Sequence, residues 1–112
     1  MAKPDIRPYS RYAREAAKLL GSTIRDTRIQ RKVTVAELAE RVGISRGLVQ
    51  RIEKGAMECS IGAVFELAAI LGIALFDAEP ATLNRYLGAA HEKLTLLPER
   101  VRRSTRPMKD DF

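Results

Sequence analysis

The chain has no tryptophan, one cysteine and one histidine, and these absences exclude several kinds of protein at once. Cys59 alone cannot form an intramolecular disulfide, and a passive thiol fits a reducing interior. His91, on a polar stretch, reads as a surface or interface residue. No cluster with metal-ligand spacing, no glycine-rich phosphate loop and no nucleophile–base pairing is present, so no metal, cofactor or catalytic residue is expected. The opening MAKPDIRPYS lacks the apolar segment of a secretory signal. The longest weakly charged stretch, 59–76, contains Glu66 and Gly72 and reads as a core helix plus turn, not a membrane span. No segment reads as a strand, because 73–76 is too short and lies between helices. A cytoplasmic protein without membrane contact is expected.

What is present is helical and basic. The 112 residues suffice for one modest core, and 46% hydrophobic with 30% charged residues suits a small helical protein. The net charge of +6 favours an anionic partner. That charge is unevenly placed. Residues 1–54 carry 13 Lys/Arg against 6 Asp/Glu, residues 55–96 carry 2 against 5, and residues 97–112 carry 5 against 3.

Five helices can be read along the chain. Residues 1–9, with Pro4 and Pro8, are expected to be a loose, flexible arm. Helical spacing from Ser10 to Arg31 places Ala13, Ala16, Ala17, Leu20, Ile24 and Arg28 on one face. Thr34-Val35-Ala36-Glu37 is a capping box that opens a second helix, with Leu38 and Ala39 inward and Gly43 as its stop. Ser45 caps a third helix with Val49 and Ile52 inward, ending at Gly55. Ser60 starts a fourth, with an apolar face of Ile61, Val64, Phe65, Ala68 and Leu71, ended by Gly72. Asp77 and Pro80 open a fifth that runs to about Leu96.

The segment 34–55 carries the chemistry. A helix fits the DNA major groove with its first turn nearest the bases. In 45–54, Arg46, Gly47, Gln50, Arg51 and Lys54 lie opposite the buried pair Val49 and Ile52. Arginine can bond guanine through two contacts and glutamine can do the same to adenine, each worth about 1–3 kcal/mol of discrimination. Two capped helices, a glycine-hinged turn and local positive charge all agree with that reading.

Over roughly 19–77 the sequence resembles the XRE, or Cro/CI-type, helix-turn-helix repressors. The resemblance rests on Ile24-Arg25, Ala36-Glu37-Leu38-Ala39, Val42-Gly43, Ser45-Arg46, Arg51-Ile52-Glu53-Lys54-Gly55 and the stretch Phe65–Gly72. It implies an all-α, five-helix lambda-repressor-like DNA-binding domain with its third helix in the groove. It also implies an ion pair between Arg28 and Glu53, which would account for a charge on the apolar face of the first helix. Three positions depart from the family pattern. Val35 stands where a polar residue usually touches the DNA backbone, and Lys32 stands where glycine often ends the first helix. Gly47 removes a potential base-reading side chain and weakens helix propensity by about 1 kcal/mol relative to alanine. The expected DNA-contact set is Lys32, Thr34, Ser45, Arg46, Gly47, Gln50, Arg51 and Lys54, with specificity leaning on Arg46, Gln50 and Arg51.

Beyond the domain at 10–79, the helix at 80–97 places Leu83, Leu87, Ala90, Leu94 and Leu97 at steps of four and three. This is the a/d seam of a coiled coil. Two heptads leave open whether it joins a second copy, making a homodimer on a palindromic operator, or packs on its own domain. The tail at 98–112 lacks periodicity and is expected to be disordered alone. Leu96-Leu97-Pro98-Glu99-Arg100-Val101-Arg102-Arg103 with Asp110-Asp111-Phe112 resembles antitoxins encoded beside HipA-family kinase toxins (HipB-like proteins). That resemblance implies a toxin-binding set of Arg100, Arg102, Arg103, Asp110, Asp111 and Phe112. An aromatic residue on a polar tail can anchor in a partner's pocket, whereas a basic tail can also contact phosphate. Three roles stay open: an autoregulatory repressor that is also an antitoxin, a stand-alone phage or chromosomal regulator, and a protein-interaction module.

Overall fold

The computed structural model describes residues 8–101 and 103. Five α-helices form: α1 (Arg11–Gln30), α2 (Val35–Val42), α3 (Arg46–Glu53), α4 (Ile61–Ile70) and α5 (Pro80–Thr95). A 3₁₀ turn occupies Leu75–Asp77, and no strand occurs among the described residues. The chain divides into two compact units, Met1–Asp77 and Ala78–Phe112, so α1–α4 share the first and α5 lies in the second. Among the described residues no helix is long and apolar enough to cross a membrane.

Each helix of the first unit starts on a hydroxyl. The oxygens of Ser10, Thr34, Ser45 and Ser60 accept from the amides of Ala13, Glu37, Leu48 and Ala63 at 3.1, 3.1, 3.1 and 3.2 Å. Caps of this kind are worth about 1 kcal/mol apiece. At α2 the exchange is reciprocal, since the Thr34 amide donates to the Glu37 carboxylate at 3.2 Å. Those bonds to Thr34 hold the Glu37 carboxyl below its ordinary value. The ionised form is the one that caps, so its contribution is complete above the ordinary carboxylate range. It is lost as pH falls through the depressed value.

The stops depend on left-handed backbone. Gly43, Gly55 and Gly72 end α2, α3 and α4 with φ of 81°, 79° and 73°. The same conformation ends α1, but there Lys32 adopts φ of 56°. Its amide donates to Ile29 and that of Val33 to Arg28, at 3.0 and 3.1 Å, closing the same two-bond stop that glycine would make. A lysine in this conformation costs about 1 kcal/mol, which the following turn must offset.

The core joins Ile24 of α1, Leu38 and Ala39 of α2, Val49 and Ile52 of α3, Leu67 of α4 and Leu71, which caps the end of α4. Burying each larger aliphatic side chain contributes about 1.5–3 kcal/mol. The expected inward faces need two corrections and the expected helix starts one. On α1, Ala16 is exposed and Gly21 is buried in its place, because α1 crosses α3 with almost no space between their backbones. On α4, Ile61 is 69% exposed while Leu67 is fully buried. The helix IGAVFELAAI is apolar on nearly every side, so periodicity cannot rank its faces and packing decides. Asp77 does not open α5. It lies in the turn with φ of 52°, and Glu79 takes the capping position without a side-chain bond. Pro80, as the first helical residue, fixes that register.

In the second unit Leu83 is half-buried, whereas Leu87, Ala90, Leu94 and Leu97 are exposed.

Candidate nucleic-acid interface

Helix α3 is held from behind and free in front. Val49 and Ile52 are buried in the core, and Glu53 is buried too, with 8% exposure. A buried carboxylate needs a partner, and Arg28 supplies it through two parallel bonds. The Arg28 Nε donates to Oε2 of Glu53 at 2.6 Å and Nη2 donates to Oε1 at 3.0 Å. A third bond runs from Nη1 to the carbonyl of Val33 at 3.0 Å. Arg28 thereby ties the end of α3 to α1 and to the segment leading into α2. The hydrogen bonds to Glu53 hold the guanidinium above its already high value against the opposing cost of burial. It stays charged at every pH the fold survives.

The opposite face of α3 carries the residues singled out for DNA. Arg46, Gln50, Arg51 and Lys54 are exposed, as are Thr34, Ser45 and Lys32, while Gly47 is half-buried. Arg51 folds back one turn, so that its Nη1 lies 3.7 Å from where a β-carbon on Gly47 would stand. The missing side chain at position 47 therefore leaves room over which a guanidinium already rests. Gln50 and Lys54 face an open groove of about 270 Å³, shared with Arg25, Val35 and the Arg28–Glu53 pair.

Two features of this groove were not legible as site residues. The sequence marks Arg25 only as part of the family pattern, yet it stands beside Gln50 and Lys54 as an exposed cation. Its position one turn before Arg28 was the available signal. Val35 is half-buried and packs against the core, so an apolar residue at the start of α2 secures that helix. Among the described residues Arg25, Lys32, Arg46, Arg51 and Lys54 have no carboxylate within 4.0 Å; the two ion pairs there are Arg28–Glu53 and Arg11–Glu15. Among the described residues the positive charge around α3 is thus unpaired and available to phosphate.

The remaining site residues fall elsewhere. Leu83, Leu87, Ala90, Leu94 and Leu97 belong to the second unit with α5. Of the tail set, Arg100 and Arg103 are described and exposed, whereas Arg102, Asp110, Asp111 and Phe112 lie outside the described residues. So do the first seven residues of the amino-terminal arm.

Comparison with known proteins agrees with this geometry. A family model described as a helix-turn-helix domain matches residues 19–83. No curated protein matches the chain.

Proposed function

The chain belongs to the helix-turn-helix domain family, and from that premise we propose that it is a sequence-specific transcriptional repressor reading its operator with α3. The observation that carries this reading is the exposed row Arg46, Gln50, Arg51 and Lys54, free of carboxylate partners among the described residues, on a helix whose back is fixed by core and ion pair. Arg46, Gln50 and Arg51 read base edges, and Lys32, Lys54 and the capped starts of α2 and α3 hold the phosphates. Two copies joined through the exposed leucines of α5 present paired α3 helices about 34 Å apart to a palindromic site. Arg46→Ala with Arg51→Ala is expected to remove about 1–3 kcal/mol of discrimination per lost contact, measured as affinity for a selected duplex against a scrambled one. Unchanged discrimination would overturn the assignment of α3 as the reading helix.

The repressor is, on our reading, also the antitoxin of an operon that encodes a HipA-like kinase toxin. Support comes from the tail sequence, where Leu96–Arg103 and Asp110-Asp111-Phe112 resemble such antitoxins. Removing residues 98–112 should leave discrimination between operators intact while abolishing capture of the kinase-like protein encoded beside it. A stand-alone regulator is the other reading, favoured by the tail's cations. In that case truncation leaves no kinase partner to lose, and it flattens the salt dependence of DNA binding instead.

A further inference from the structure

The interface proposed for α3 stops at Lys54, but the cationic surface does not. The loop that leaves α3, residues 55–60, contains no lysine or arginine and one acid, Glu58. Positive charge beside that loop comes from α1. At about 100° per residue Arg14, Lys18 and Arg25 fall within roughly 40° of one another, on the stripe that also holds Gly21. All three cations are exposed. Arg11, the next cation along, is engaged by Glu15 at 3.5 Å. Among the described residues Arg14, Lys18 and Arg25 have no such partner.

Close backbone approaches place this stripe against α3. A β-carbon on Gly21 would meet the carbonyl oxygen of Ile52, and one on Gly55 would stand 2.8 Å from the Cα of Lys18. Lys18 therefore lies at the exit of α3, on one side of the crossing, while Arg25 lines the groove with Gln50 and Lys54 on the other. Arg14 continues the row one turn beyond Lys18. From Arg14 to Arg25 the helix rises about 16 Å, and one strand of a duplex presents a phosphate about every 3.4 Å of its axis.

We infer that Arg14 and Lys18 form an auxiliary phosphate-binding surface that extends the DNA interface along α1, past the end of α3. The inference rests on the reading of α3 as the DNA-binding helix. These contacts carry no sequence information. They add affinity for any duplex, and they make that affinity more salt-sensitive.

The test uses the full chain and a random-sequence 30-base-pair duplex, with affinity followed by fluorescence anisotropy across a sodium chloride series. Arg14→Gln with Lys18→Gln is expected to weaken binding on the order of tenfold near 0.1 M salt. It should also make the log–log salt slope shallower by about 2, since each phosphate contact contributes about 0.9. Circular dichroism on the same variant separates this from unfolding, and both side chains are exposed. The companion variant, Arg46→Gln with Arg51→Gln, tells the two readings apart. If it flattens the slope while the α1 variant keeps the parent slope, the α1 stripe is a solvated face and the inference is overturned alone. If neither variant changes the slope, the DNA-binding reading of α3 falls with it.

Discussion

Glu53→Ala is expected to lower the unfolding free energy by about 3–5 kcal/mol, a large share of the roughly 5–15 kcal/mol that holds a typical domain together. The cost comes less from the attraction that is lost than from the charge that is left behind. Arg28 and Glu53 are 12% and 6% exposed in their side chains, and the guanidinium makes three bonds, two of them to Glu53. Removing the carboxylate strands an arginine that cannot shed its proton and has little water to turn to. Arg28→Lys should also fail as a conservative change, because a single ammonium cannot span both carboxylate oxygens and the Val33 carbonyl together. Arg28→Met combined with Glu53→Leu should cost less than Glu53→Ala alone, since no buried charge then remains. Urea denaturation of the single and double variants measures all of this. A loss below about 1 kcal/mol for Glu53→Ala would mean that the pair behaves as a surface bridge.

Gly21→Ala is expected to destabilise the protein by about 2–3 kcal/mol, the opposite of what helix propensity suggests. In the middle of an exposed helix the same change would stabilise by about 1 kcal/mol. Here the added β-carbon would collide with the carbonyl oxygen of Ile52 and stand 2.8 Å from that of Glu53. Both are backbone atoms, so neither can swing aside as a side-chain tip would. The two helices must separate, and separation pulls on the Arg28–Glu53 pair that joins them a little further along. Gly47→Ala is the matched control. Its β-carbon would meet nothing nearer than Arg51 at 3.7 Å, so it should gain up to about 1 kcal/mol. Equal responses at the two positions, read from denaturation midpoints, would mean that the α1–α3 crossing is looser than its geometry indicates.

These two sites mark where the sequence could be read and where it could not. The starts of α1–α4 were legible because a hydroxyl three residues before an amide is a local signal, and Ser10, Thr34, Ser45 and Ser60 all cap as that signal implies, whereas α5 opens without one. Stops at Gly43, Gly55 and Gly72 were legible for the same reason, since left-handed backbone selects glycine. Lys32 adopts that conformation without glycine's freedom. The faces of α4 were not legible, because a helix apolar on almost every side gives periodicity nothing to rank. Ile61 and Leu67 exchanged roles accordingly. In the site, the outward residues of α3 could be named from spacing against Val49 and Ile52. Arg25 could not, because its place beside Gln50 and Lys54 depends on how α1 crosses α3.

The sequence by itself determined the five helices, the hydroxyl starts of α1–α4, the outward face of α3 and the excess of positive charge in the first half. All of these follow from interactions within a few residues or from composition. Tertiary structure alone decided that Gly21 is a contact and not a flaw in α1, that Val35 packs inward, and that cations of α1 adjoin those of α3. The physical reason is common to the three: each depends on the distance between two backbones that are far apart along the chain, and no local pattern encodes that distance.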